Sequence, residues 1–117
     1  MRNYEDLTVW ERAHKLCLAI YKFTDSFPSE EKFGLISQLR RASSSVPTNM
    51  AECCGYDTPK EFARYIKIAS GSITEVAYLL KLSKDLKFIS VNDFNSAPEE
   101  AKIIRKMLYN LRMSQIK

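Results

Sequence analysis

Few residues of this chain could carry chemistry. Glu11-Arg-Ala-His14 has the Glu-x-x-His spacing with which di-iron bundle proteins place a carboxylate and an imidazole on one helix face. Such a site needs the motif on two helices together with further carboxylates. His14 is the only histidine, so one chain cannot build the site and no metal is expected. Cys17, Cys53 and Cys54 are odd in number and two are adjacent. They lack Cys-x-x-Cys spacing, and Cys53 and Cys54 sit far from any helix N-terminus that would lower a thiol pKa. All three read as packing groups in a reducing compartment. With three glycines in all, no Gly-rich phosphate loop and no Gly-x-Ser-x-Gly elbow, nucleotide hydrolysis and acyl transfer have no support. Neither an enzyme nor a cofactor is expected; catalysis by Cys54 or His14 would require a group of perturbed pKa in a cleft.

The informative pattern is cationic. Eighteen Lys and Arg against 14 Asp and Glu give a net charge of +4. Residues 1–58 carry seven basic and eight acidic side chains, whereas 59–117 carry eleven and six. Between Ala101 and Lys117 stand Lys102, Arg105, Lys106, Arg112 and Lys117, with no acidic residue. Three groups could meet phosphates: Arg40 with Arg41; Lys60, Arg64 and Lys67; and Lys102, Arg105, Lys106 and Arg112. Helical spacings of three and four align them for salt-dependent binding that reads no sequence. The twelve Tyr and Phe residues do not interleave with them as a stacking platform, which disfavours single-strand specificity. Two structural readings stand alongside. Basic residues near a helix C-terminus complement the macrodipole and solvate an outer face, and Arg41 can pair with Glu52 or Glu75.

The elements that must position these groups are helical. A chain of 117 residues, 45% hydrophobic and 27% charged, suits one globular domain over 1–117. No apolar run approaches the roughly 20 residues of a membrane span, and the start lacks the apolar stretch of a signal peptide, so a cytoplasmic protein is expected. The first helix is expected from Thr8, with a Thr8–Glu11 capping box, to about Phe27; it carries Trp10, Ala13, Cys17, Ile20 and Phe27 inward. Pro28 ends it, and Ser29 is expected to cap a second helix running to Cys54. That helix holds Ile36, Leu39, Val46, Met50 and Cys53 on its inner stripe. Its small residues Ala42, Ser43, Ser44 and Ser45 imply close helix approach. Pro47 should kink it at a cost of about 3 kcal/mol, eased by Ser43 back-bonding to the main chain, and Gly55 should take the left-handed position beyond its end.

Thr58-Pro-Lys-Glu61 starts a third helix that reaches about Lys87. Phe62, Ile66, Ala69, Ile73, Val76 and Leu80 form its core stripe. Tyr65, Ile68, Leu79, Leu82 and Leu86 form a second stripe, read as a subunit interface. Gly71 should mark a tight crossing. The fourth helix has two candidate starts, Ser90 with Asp93 and Ser96 with Glu99. Pro98 favours the second, since proline suits a first turn, leaving 91–95 as a turn or lead-in. Ala101, Ile104, Leu108 and Leu111 face inward with Ile103 and Met107. Short connections make an all-α, antiparallel up-down-up-down four-helix bundle.

Three stretches carry a family likeness: Tyr4-Glu-Asp-Leu-Thr-Val-Trp-Glu-Arg-Ala13, then Phe27-Pro with Glu31-Lys-Phe-Gly-Leu35, then Gln38-Leu-Arg-Arg-Ala-Ser-Ser-Ser-Val-Pro-Thr-Asn-Met-Ala-Glu52. Together with Thr58-Pro-Lys-Glu-Phe-Ala-Arg-Tyr-Ile-Lys-Ile-Ala-Ser-Gly-Ser72 and Glu75, they resemble the four-helix-bundle proteins encoded in intervening sequences of 23S ribosomal RNA genes. The resemblance implies a homo-oligomeric ring, a pentamer, without catalytic activity. It also implies a fold relative, the basic accessory variability determinant of diversity-generating retroelements, which works with a reverse transcriptase and nucleic acid. The chain departs from the family pattern at Cys53 and Tyr56, where Gly and Arg are common, and at Pro98. The resulting expectation is a non-enzymatic oligomer that binds structured RNA or DNA, or a nucleic-acid enzyme, through basic helix faces. The alternative is a structural protein–protein interaction module that binds no nucleic acid.

Overall fold

Helix-forming stretches separated by short turns fold into α1 (Thr8–Thr24), α2 (Leu35–Cys53), α3 (Pro59–Asp85) and α4 (Val91–Gln115). They are seen in a computed structural model that describes residues 2–115, the side chains at 91 and 93–95 excepted. Lys117 and the Asp93 side chain, both part of the sequence expectations, lie outside the described residues. Each helix packs on the next, and α4 returns to α1, as expected of an up-down-up-down bundle. The long axis of 44 Å is set by α3, whose 27 residues span about 40 Å at 1.5 Å per residue.

The cap chemistry holds at α3 and is replaced at α1 and α2. Thr58 Oγ1 accepts from the Glu61 backbone N–H at 3.2 Å, with Pro59 in the first turn. The Thr8–Glu11 box does not form, because Leu7 is the N-cap and Thr8 already lies inside α1. A 3-10 turn over Tyr4–Asp6, capped by Asn3, leads the chain in instead. α1 ends at Thr24 rather than Phe27, and Phe27 is buried beyond it. Ser29 opens only a 3-10 turn over Ser29–Glu31, and α2 starts at Leu35. There Glu31 Oε1 accepts from the Leu35 N–H at 3.2 Å, placing a carboxylate at the positive end of the helix dipole.

Pro47 is accommodated inside α2. Ser43 Oγ donates to the Arg40 carbonyl at 3.2 Å, Asn49 Nδ2 donates to the Ser45 carbonyl at 2.8 Å, and Trp10 Nε1 donates to the Pro47 carbonyl at 3.2 Å. The small residues allow close approach on both sides of α2: Ser45 meets Ser72 of α3 at 2.8 Å, and Ser43 meets Cys17 of α1 at 3.6 Å. Gly55 does not adopt a left-handed conformation. The only positive φ among the described residues belongs to Lys87, at 65°. Phe88 N–H bonds to Ser83 O and Lys87 N–H to Lys84 O, each at 2.9 Å, closing α3 as a Schellman motif.

The core stripes of α2 and α3 are buried as expected, with Leu35 taking the place of Ile36. The second stripe of α3 divides. Leu79 joins the core, Tyr65 and Leu82 are half-buried, and Ile68 and Leu86 remain 42% and 47% exposed. Three further expectations fail. A Cβ on Gly71 would meet nothing within 4 Å, so no tight crossing lies there. α4 begins at Val91 and runs through Pro98, because Ile89 and Ala97 are buried with Ala101 and their packing holds this segment helical despite the missing backbone bond. Ile103, expected to face inward, is instead 41% exposed.

Candidate nucleic-acid interface

Residues 102–112 present their cations where α4 lies along α3. Lys102, Arg105, Tyr109 and Arg112 recur every three or four residues, so they share one side of α4, and Lys106 joins them. On α3, Lys67, Ser70 and Thr74 repeat with the same period. These eight residues line a groove of about 590 Å³ between the two helices. Five of them are cationic and none is acidic. Lys67, Arg105, Lys106 and Arg112 make no ion pair among the described residues, and Lys102 has only a long contact of 3.9 Å to Glu99.

The buried faces of these helices fix this geometry. Ile66, Ala69 and Ile73 on α3, with Ala101, Ile104 and Leu108 on α4, are nearly or fully excluded from water. The rotation that buries them turns the cations to the rim of the interhelical groove. On the far side of α4, Arg12 and Glu100 form a two-pronged pair, Nε to Oε1 at 2.8 Å and Nη2 to Oε2 at 3.0 Å. This ties the same helix back to α1.

The other expected contacts have different assignments. Arg40 closes the end of α1: Nε donates to Thr24 Oγ1 at 2.8 Å, Nη2 reaches the Tyr21 carbonyl at 3.2 Å and Asp25 at 3.0 Å, and the guanidinium lies 4.7 Å from the Tyr21 ring centre. Arg41 is exposed and forms neither of the pairs considered for it, with Glu52 or with Glu75, among the described residues. Lys60 and Arg64 lie outside the groove. Arg64 turns back on Glu61 at 3.6 Å and on the Tyr65 ring at 4.8 Å. Of the nine candidate residues, the structure therefore gathers Lys67, Lys102, Arg105, Lys106 and Arg112, and leaves Arg40, Arg41, Lys60 and Arg64 elsewhere.

The remaining candidate chemistry is dispersed. Glu11 pairs with Lys15 at 3.0 Å, and His14 stacks on Trp10 with ring centres 5.0 Å apart. No cluster of three or more His, Cys, Asp and Glu residues able to hold a metal is found among the described residues. All three cysteines are buried and free of disulfides. Burial, reinforced by the adjacent Cys54, pushes the Cys53 thiol up to about 12, and its Sγ donates to the Met50 carbonyl at 2.9 Å. Tyr56 stacks on Tyr65 at 5.0 Å with their hydroxyls 3.2 Å apart, and that hydrogen bond raises the Tyr56 phenol above its ordinary range.

Tyr109, like Ser70 and Thr74, is a groove residue that sequence reasoning missed. Its signal was present, since it follows Arg105 by four residues and precedes Arg112 by three. Whether such a ring faces a neighbouring cation depends on how α4 is rotated against α3.

The profile of 23S rRNA-intervening sequence proteins matches residues 5–110. Among solved structures, a protein of unknown function from the S23 ribosomal protein family of Bacteroides thetaiotaomicron shares the fold, with a TM-score of 0.79. It is 21% identical over 89% of this chain and 97% of its own. No curated protein matches. No helix among the described residues is long and apolar enough to cross a membrane.

Proposed function

We propose, from the premise that the chain belongs to the 23S rRNA-intervening sequence protein family, that it is a non-enzymatic, cytoplasmic, homo-oligomeric protein that binds structured nucleic acid. The groove between α3 and α4 is its contact surface. The observation that carries this reading is the convergence of five cations from two helices on one groove, with no acidic side chain among the lining residues. Ion pairing within a fold usually offsets such a concentration of like charge, and here it is left available to an anion. A polyphosphate backbone would engage Lys67 from α3 and Lys102, Arg105, Lys106 and Arg112 from α4 together. Copies related in a ring, a pentamer in this proposal, would sum their fields; Ile68 and Leu86 on α3 supply exposed apolar surface for that assembly. An enzyme that itself handles nucleic acid, such as a reverse transcriptase, would be a partner brought to the same strand.

Titration of a structured RNA and a duplex DNA of equal length, from low to physiological salt with light scattering on the same sample, tests both parts. Affinity that falls steeply with salt supports phosphate contact. Salt-insensitive association with a protein partner and no nucleic-acid binding would favour an interaction module instead, a reading favoured by the exposed Leu18, Tyr78 and Ile103.

A further inference from the structure

We infer that the groove takes an unpaired nucleotide, with its base stacked on Tyr109 and its flanking phosphates on the surrounding cations; this deepens, and rests on, the nucleic-acid reading above. The tyrosine rings are not all engaged within the fold. Tyr4 packs on Trp10, Tyr21 lies under Arg40, and Tyr56 and Tyr65 stack on each other. The rings of Tyr78 and Tyr109 have no aromatic or cationic partner among the described residues. Of these two, only Tyr109 lies in the cationic groove, where it is 53% exposed. An amphipathic ring left uncovered beside three unpaired cations is a stacking platform in waiting.

The spacing suits one nucleotide. Arg105 and Lys106 precede Tyr109 by four and three residues, and Arg112 follows it by three, so cations sit roughly 5 Å along the helix axis on either side of the ring. A base on the ring would thus have a cation for the phosphate before it and another for the phosphate after it. Lys67 closes the α3 side. The groove's 590 Å³ falls within the range of about 300–1,000 Å³ that encloses small organic ligands. A duplex keeps the faces of its bases stacked on one another, so it would engage the cations without using the ring.

The test compares the full-length protein on three probes of equal charge: an RNA hairpin with an unpaired loop, a fully paired RNA duplex, and single-stranded DNA. Binding is read by fluorescence anisotropy at one fixed salt concentration. Tyr109→Ala should weaken the hairpin and the single strand about tenfold, within the range found for losing one stacked base, and leave the duplex unchanged. Tyr109→Phe should bind as the parent does, and Tyr78→Ala should have no effect on any probe. Equal loop binding by Tyr109→Ala and the parent, with duplex binding retained, would overturn the stacking inference while leaving phosphate contact intact. Failure of the parent to bind any of the three probes would overturn the nucleic-acid reading and the inference together.

Discussion

Arg12 and Glu100 meet through both guanidinium and carboxylate edges, at 2.8 and 3.0 Å, and so join α1 to the helix that carries most of the groove's cations. Their side chains remain 38% and 29% exposed, which limits the energy of the pair but not its geometric role. A double-mutant cycle with Arg12→Ala and Glu100→Ala, read by urea denaturation, should give a coupling of about 0.5–1 kcal/mol that shrinks as salt is added. A coupling near zero would mean that apolar packing alone holds α4 in place.

Arg40 and its neighbour should separate cleanly. Arg40→Ala removes two hydrogen bonds, an ion pair and a ring contact at the end of α1, and leaves buried Thr24 short of a partner. It should cost about 1–2 kcal/mol, whereas the exposed Arg41→Ala should stay within about 0.5 kcal/mol. Chemical denaturation of the two variants checks this, and equal losses would contradict the assignment of Arg40 to the fold.

Gly71→Ala should stabilise the protein by about 0.5–1 kcal/mol. The residue is helical with φ in the ordinary negative range, and an added Cβ meets nothing within 4 Å. The substitution therefore gains helix propensity without a clash. A lower melting temperature would show that this face of α3 is covered in the assembled protein.

The contrast between Thr58 and Gly71 marks what the residues disclose by themselves. Thr58-Pro59-Lys60-Glu61 defines a helix start through bonds that reach only three residues, so local chemistry suffices to read it. The small residues at Ser43 and Ser45 likewise signalled close approach because their hydroxyls bridge to α1 and α3. Gly71 and Pro98 mislead for the opposite reason. What surrounds Gly71, and what holds Pro98 inside a helix, is decided by other segments of the chain. The site divides in the same way: spacing placed Lys102, Arg105, Lys106 and Arg112 on one side of α4, but pairing them with Lys67, and setting Tyr109 among them, depends on rotations fixed by the core. The contacts of Arg40 were not legible because its partners Tyr21, Thr24 and Asp25 lie across a turn whose path the spacing does not define.

Cys53 links pH to stability. Its thiol is held neutral up to about pH 12 in the fold, against an ordinary value near 8.5 in the unfolded chain. Above that ordinary value the unfolded state gives up a proton that the native state keeps. The stabilising contribution is therefore complete below about pH 8.5 and is lost as pH rises towards 12. Denaturation midpoints should fall over that interval by less in Cys53→Ala than in the parent, and native Cys53 should resist alkylation at pH 8. Rapid labelling of the folded protein would contradict this account.

Phosphate binding in the α3–α4 groove is tested by the salt dependence of duplex binding by the parent and by the triple variant Lys102→Glu, Arg105→Glu, Lys106→Glu. All three residues are exposed, so the variant should fold, which circular dichroism would verify. The parent's log K should fall linearly with log salt. In the variant, affinity should drop at every salt concentration and the slope should become shallower by roughly 2–3, as expected for three lost phosphate contacts. Parallel lines of equal affinity, or no binding by the parent at low salt, would contradict it.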